Sequence, residues 1–98
     1  MLDKVKLALR ISGDTFDEEL TDLIAACVEE MTGLGVIIDD DASGVPSSAQ
    51  VRAAIIAYCK WQFGDNNNKE QFEAIYHTHL AQLKTMDTYT DWSGGLYG

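Results

Sequence analysis

The chain has 98 residues, 46% of them apolar and only one of them proline, with 16 acidic residues against 7 basic ones for a formal charge of −9. That length makes one small domain, residues 1–98, whose modest core leaves an isolated chain marginally stable. So large an acidic excess argues against a general phosphate-binding surface, which needs clustered Lys and Arg to displace counterions. No apolar run approaches the roughly 20 residues of a membrane span. The N-terminal MLDKVKLALR alternates charge with apolar residues instead of forming a signal-peptide core, so the chain is expected to stay in the compartment where it is made.

Long helical periodicities without proline predict an all-α fold, a small bundle of about four helices. Leu2, Val5 and Leu9, with Ala8 beside them, share one side of a short first helix that Ser12-Gly13 ends. Lys4, Lys6 and Arg10 form its basic cluster, which reads as a solvated face. Thr15 and Glu18 make a capping box for the second helix, and Asp17, Glu18 and Glu19 put negative charge where its dipole favours it. Phe16, Leu20, Leu23, Ile24, Cys27, Val28 and Met31 then form one apolar stripe that runs to Gly33. The opposite face carries Asp22, Glu29 and Glu30, for solvent or a basic partner.

Between Gly33 and Pro46 the helical pattern stops. Val36-Ile37-Ile38 is a short β-branched run with no strand partner in the chain, suited to extended packing or to addition to a neighbouring subunit. Asp39-Asp40-Asp41-Ala42-Ser43-Gly44 reads as a mobile polar loop. Residues 47–64 make the central helix, opened by a Ser47/Gln50 capping box and closed by Gly64. Val51, Ala54, Ile55, Tyr58, Cys59 and Phe63 fill one face, and Ala53, Ile56, Ala57 and Trp61 most of the other. Such a helix is buried on more than one side, and a chain this small is expected to present part of it to another subunit. After a turn at Asp65–Asn68, Asn67 and Glu70 are a further capping pair. Phe72, Ile75, Tyr76, His79, Leu80, Leu83 and Met86 mark a fourth helix, and residues 87–98 form an irregular tail that is ordered only when something holds it.

No catalytic set converges. Asp39-x-Asp41-x-Ser43-Gly44 copies the opening of a calcium loop, yet Gln50 stands at the twelfth position and Pro46 at the eighth, so a solvated acidic loop is the better reading. Cys27 and Cys59 lie in apolar stripes without CxxC or Cys/His company and read as buried small hydrophobes. His77 and His79 stand roughly 200° apart on a helix and cannot share a metal. His79 falls on the apolar stripe, as a hydrogen-bonded histidine of the core or an interface. Adjacent pairs such as Glu18-Glu19 and Glu29-Glu30 diverge by about 100° and form no acid/base dyad. The sequence therefore implies no enzyme, no cofactor and no metal. Tyr58 and Trp61 suit a core, with Trp61 also a candidate interface anchor, and Trp92 and Tyr97 in the tail are stronger anchors because nothing local buries them.

Taken in order, Leu2, Val5 to Leu7, Leu9 to Ile11, Phe16-Asp17-Glu18-Glu19-Leu20, Pro46, and Ala54-Ile55 through Tyr58, Lys60 and Phe63-Gly64 carry a resemblance. Over roughly residues 1 to 86 the chain resembles the head-tail connector proteins of tailed bacteriophages and prophages, the small head-completion or adaptor subunits. The resemblance implies a non-enzymatic subunit of a ring, usually about twelve copies, lying beneath the portal at the virion head-tail junction. Such a ring, assembled in the bacterial host cytoplasm, extends the DNA channel without binding DNA specifically. It contacts itself, the portal protein and a tail or second connector protein. The interface residues expected are Val36, Ile37, Ile38, Trp61, Tyr89, Trp92 and Tyr97. The acidic loop Asp39, Asp40 and Asp41 is expected to face the channel and repel phosphates. Two other readings stay open: a helical interaction module or regulator, and a DNA-binding packaging component, which the charge argues against.

Overall fold

The computed structural model describes residues 1–42, 44–63 and 68–84. Four helices follow one another along them: α1 (Leu2–Leu9), α2 (Asp17–Gly33), α3 (Ala49–Phe63) and α4 (Lys69–Lys84). The all-α bundle, with one long loop between α2 and α3, is as the periodicity predicts. Gly64, Asn67, Met86 and the tail 87–98 lie outside the described residues.

The central position of α3 follows from its composition. It packs against α1, α2 and α4, with its longest seam along α4, and Val51, Ala54, Ile55 and Cys59 are all but sealed from solvent. Around them Val5 of α1, Leu20, Cys27 and Met31 of α2, and Tyr76 and Leu83 of α4 complete a fully buried core. Each such aliphatic side chain contributes about 1.5–3 kcal/mol relative to exposure.

Some helix ends differ from the sequence expectations, for stereochemical reasons. The first helix closes before Ser12-Gly13, at Arg10, whose φ of 59° is left-handed. Ile11 N–H bonds Lys6 C=O at 2.9 Å and Arg10 N–H bonds Leu7 C=O at 3.1 Å, the paired bonds of a Schellman ending. Helix α2 does run to Gly33, as the stripe predicts, and the chain then turns the same way around Gly35 (φ 94°), with Val36 N–H on Met31 C=O at 3.0 Å. Phe16 occupies its N-cap with no side-chain bond, in place of the Thr15/Glu18 box. Phe16 sits edge-on to Phe63 at 5.2 Å, and the acidic first turn meets the dipole alone. At α3, Ser48 Oγ accepts from Val51 N–H at 3.3 Å and does the capping assigned to Ser47.

Ser47 is engaged elsewhere. Its N–H and its hydroxyl both donate to Asp39 C=O, at 2.9 and 3.2 Å, and Asp40 and Pro46 form an antiparallel bridge. Asp41 N–H reaches Val45 C=O at 2.7 Å while Asp41 Oδ1 accepts from Val45 N–H at 3.0 Å. The acidic segment is thus cross-tied at its neck.

Candidate functional site

Polar cross-ties fix how the helices present their outer faces. Lys6 Nζ lies 2.7 Å from Asp17 Oδ1 and joins α1 to the first turn of α2. Tyr76 Oη donates to Glu30 Oε1 at 2.5 Å, holding α4 to α2, and burial followed by that bond raises the Tyr76 hydroxyl well above the ordinary phenol range. The Gln50 amide donates to His79 Nδ1 at 2.9 Å and to Gln82 Oε1, tying the start of α3 to the end of α4. His79 is therefore a half-buried, hydrogen-bonded residue between helices. Cys27 and Cys59 are free and fully buried, and burial pushes both thiols up to about 12. Among the described residues no three His, Cys, Asp or Glu side chains stand together as a metal site, and no helix is long and apolar enough to cross a membrane.

The residues expected at interfaces separate into distinct places. Val36 is 2% exposed and packs in the chain's own core, whereas Ile37 is 40% exposed and Ile38 packs partly against the core. Trp61 is half-buried in an aromatic group, 5.7 Å from Tyr58, 6.1 Å from Tyr76 and 5.8 Å from His77. Asp39, Asp40 and Asp41 are exposed on the acidic loop. Tyr89, Trp92 and Tyr97 lie outside the described residues.

A further surface was missed by the sequence reading. Among the described residues the outer side of α3 between α1 and α4 is left uncovered, and an apolar trough runs along it. One part, about 420 Å³, is bounded by Leu7, Ala8, Ala53 and Ile56, and a second, about 250 Å³, by Ile56, Ala57, Phe72 and Ile75. Leu7 stands 80% exposed at its edge, the most exposed large apolar side chain among the described residues.

The rim of this trough is basic. Lys4 and Arg52 border one part, Lys60 the next, and Arg10 with Lys60 the far end. Lys60 Nζ lies 5.3 Å from the centre of the Phe72 ring, in cation–π range. Arg52 Nη1 donates to Pro46 C=O at 2.8 Å and Ser47 C=O at 3.0 Å, which steadies it at the trough edge. The basic cluster read on α1 is therefore split: Lys6 turns to Asp17, and Lys4 and Arg10 join Arg52 and Lys60 around the trough. In a chain with only 7 basic residues, four around one apolar strip set that strip apart from the acidic remainder. The sequence groups Lys4 and Arg10 with Lys6 along α1, and only the placement of α1 and α4 beside α3 brings them together with Arg52 and Lys60.

The described residues thus present two distinct surfaces, an apolar strip with a basic rim and an exposed acidic loop. No curated protein and no solved structure matches the chain. A family model described as phage connector protein matches residues 1–90, which include all four helices and the loop between α2 and α3. With nearly the whole chain matched, the protein belongs to the phage connector family.

Proposed function

We propose that this protein is a non-enzymatic head-completion subunit that assembles as a closed ring of about twelve copies beneath the portal, extends the DNA channel and joins head to tail. The observation that carries the reading is the family match over residues 1–90. The surfaces of the bundle support it: among the described residues Leu7, Phe16, Leu34 and Ile37 are exposed, which leaves apolar area for neighbours to cover. In this reading Ile37, Ile38 and Trp61 contribute to contacts between subunits, and Tyr89, Trp92 and Tyr97 of the tail to contacts with the portal or the next tail component. Val36, being in the core, holds the loop in position for them.

The exposed Asp39, Asp40 and Asp41 face the channel. Fixed negative charge there repels DNA phosphates and lets the duplex pass without adhesion. The net charge of −9 supports passage and speaks against a packaging protein that grips DNA. The site of action is the head-tail junction of the virion, reached by assembly in the bacterial host cytoplasm.

Deleting the gene from its phage tests the role. Negative-stain images of the lysate are expected to show filled heads and free tails that are not joined, and plasmid-borne protein restores joined particles. Normal numbers of joined, infectious particles without the gene would overturn the proposal.

A further inference from the structure

We infer that the basic-rimmed trough over α3 receives the acidic outer face of α2 from a second copy of this chain. The inference rests on the ring reading and names the two surfaces that would build it.

Charge selects the occupant. Lys4, Arg52 and Lys60 rim the trough, so its occupant carries acidic groups flanking a contact surface that tolerates an apolar floor. The outer face of α2 has that chemistry: Asp22, Ala25, Ala26 and Glu29 are all exposed and, spaced three and four apart, share one stripe. The two alanines let a helix approach closely, and they offer an apolar counterpart to Leu7, which the other described residues leave 80% exposed.

The spacings agree as well. Arg52 and Lys60 are separated by about 12 Å along the axis of α3, and Asp22 and Glu29 by about 10 Å along α2, at 1.5 Å per residue. A helix laid along the trough thus brings two acidic groups to two basic ones across an apolar middle.

One copy cannot make this contact with itself. Ile55 shares a cleft with Ile24 and Val28 of α2, and Ile55 lies roughly 130° round α3 from the centre of the stripe Ala49, Ala53, Ile56 and Lys60 that floors the trough. Helix α2 and the trough therefore occupy different sides of α3. A patch on one side that fits a patch on another is a heterologous contact, which repeats from copy to copy and closes when its rotation permits.

Complementary charge reversal tests the pairing. A trough variant, Lys4→Glu with Lys60→Glu, and an α2 variant, Asp22→Lys with Glu29→Lys, alter exposed or rim positions, and circular dichroism verifies that both keep the helical fold. At a concentration where the unaltered protein assembles, each variant alone is expected to self-associate at least about tenfold more weakly. An equal mixture regains assembly, because every trough then meets an α2 face of opposite charge in an alternating ring. Wild-type assembly by either variant alone, or a mixture that stays dispersed, overturns the inference. Rescue of the trough variant by Asp39→Lys/Asp40→Lys in place of the α2 variant also overturns it and assigns the trough to the loop. The two levels fail separately. Variants that assemble with these four charges reversed keep the ring and remove this contact, whereas unaltered protein that never assembles, with or without the portal, removes both.

Discussion

Tyr76, fully buried on α4, reaches the α2 surface to donate a 2.5 Å hydrogen bond to Glu30 Oε1. The pair spans the bundle, and it sits against Tyr58 and Trp61, whose ring centres lie 5.2 and 6.1 Å from that of Tyr76. Tyr76→Phe keeps the packing and removes the bond, so thermal or urea unfolding is expected to show a loss of about 1–2 kcal/mol. Tyr76→Ala also leaves a cavity among those rings and is expected to cost about 3–5 kcal/mol.

The Lys6–Asp17 pair gives a second case. Asp17 Oδ1 is shielded from solvent, and the Lys6 ammonium 2.7 Å away neutralises it. Lys6→Ala removes the cation from this partly exposed pair, at an expected cost of about 0.5–1 kcal/mol in a denaturant melt. Asp17→Asn/Lys6→Ala should recover part of the loss, because no charge is then left unpaired.

The two cysteines predict behaviour in alkali. Burial raises both thiols from 9.0 to about 12, so the folded state holds their protons more tightly than the unfolded state does. Their contribution is complete below pH 9 and is lost as pH rises from there through about 12. The urea midpoint is therefore expected to fall across that window. Cys59→Ala should lower the midpoint at neutral pH and make the alkaline fall shallower.

Arg10 closes α1 in a left-handed conformation that a side chain adopts at a cost. Arg10→Gly is expected to stabilise the monomer by about 0.5–1 kcal/mol, read from thermal unfolding.

The existence of four helices was legible because the apolar spacing of residues 2–9, 17–33, 49–63 and 69–84 carries a helical period wherever a core lies on one side. The ends were less legible. A Schellman ending requires one left-handed residue, and nothing local distinguishes Arg10 from Ser12 until the backbone bonds are in place. Ser47 and Ser48 are equally good caps by type, and the choice was made by Asp39 C=O, which engages Ser47 from across the loop.

The trough was hidden for a related reason. The sequence of α3 shows apolar residues nearly all round, which says that several neighbours are needed without saying which side lacks one. Lys4, Arg10, Arg52 and Lys60 come from two helices and a helix end, and no window along the chain contains all four. The signal available was the scarcity of basic residues on an acidic chain. The Val36-Ile37-Ile38 run is expected whole at an interface, but alternation divides it: Val36 turns into the core and Ile37 outward.

The most direct test of the account is the mass of the purified protein by multi-angle light scattering over a concentration series, alone and with the portal protein, with negative-stain images of the large species. A discrete closed ring of about twelve subunits is the expected result. A protein that remains monomeric throughout the series, with and without the portal, would contradict it.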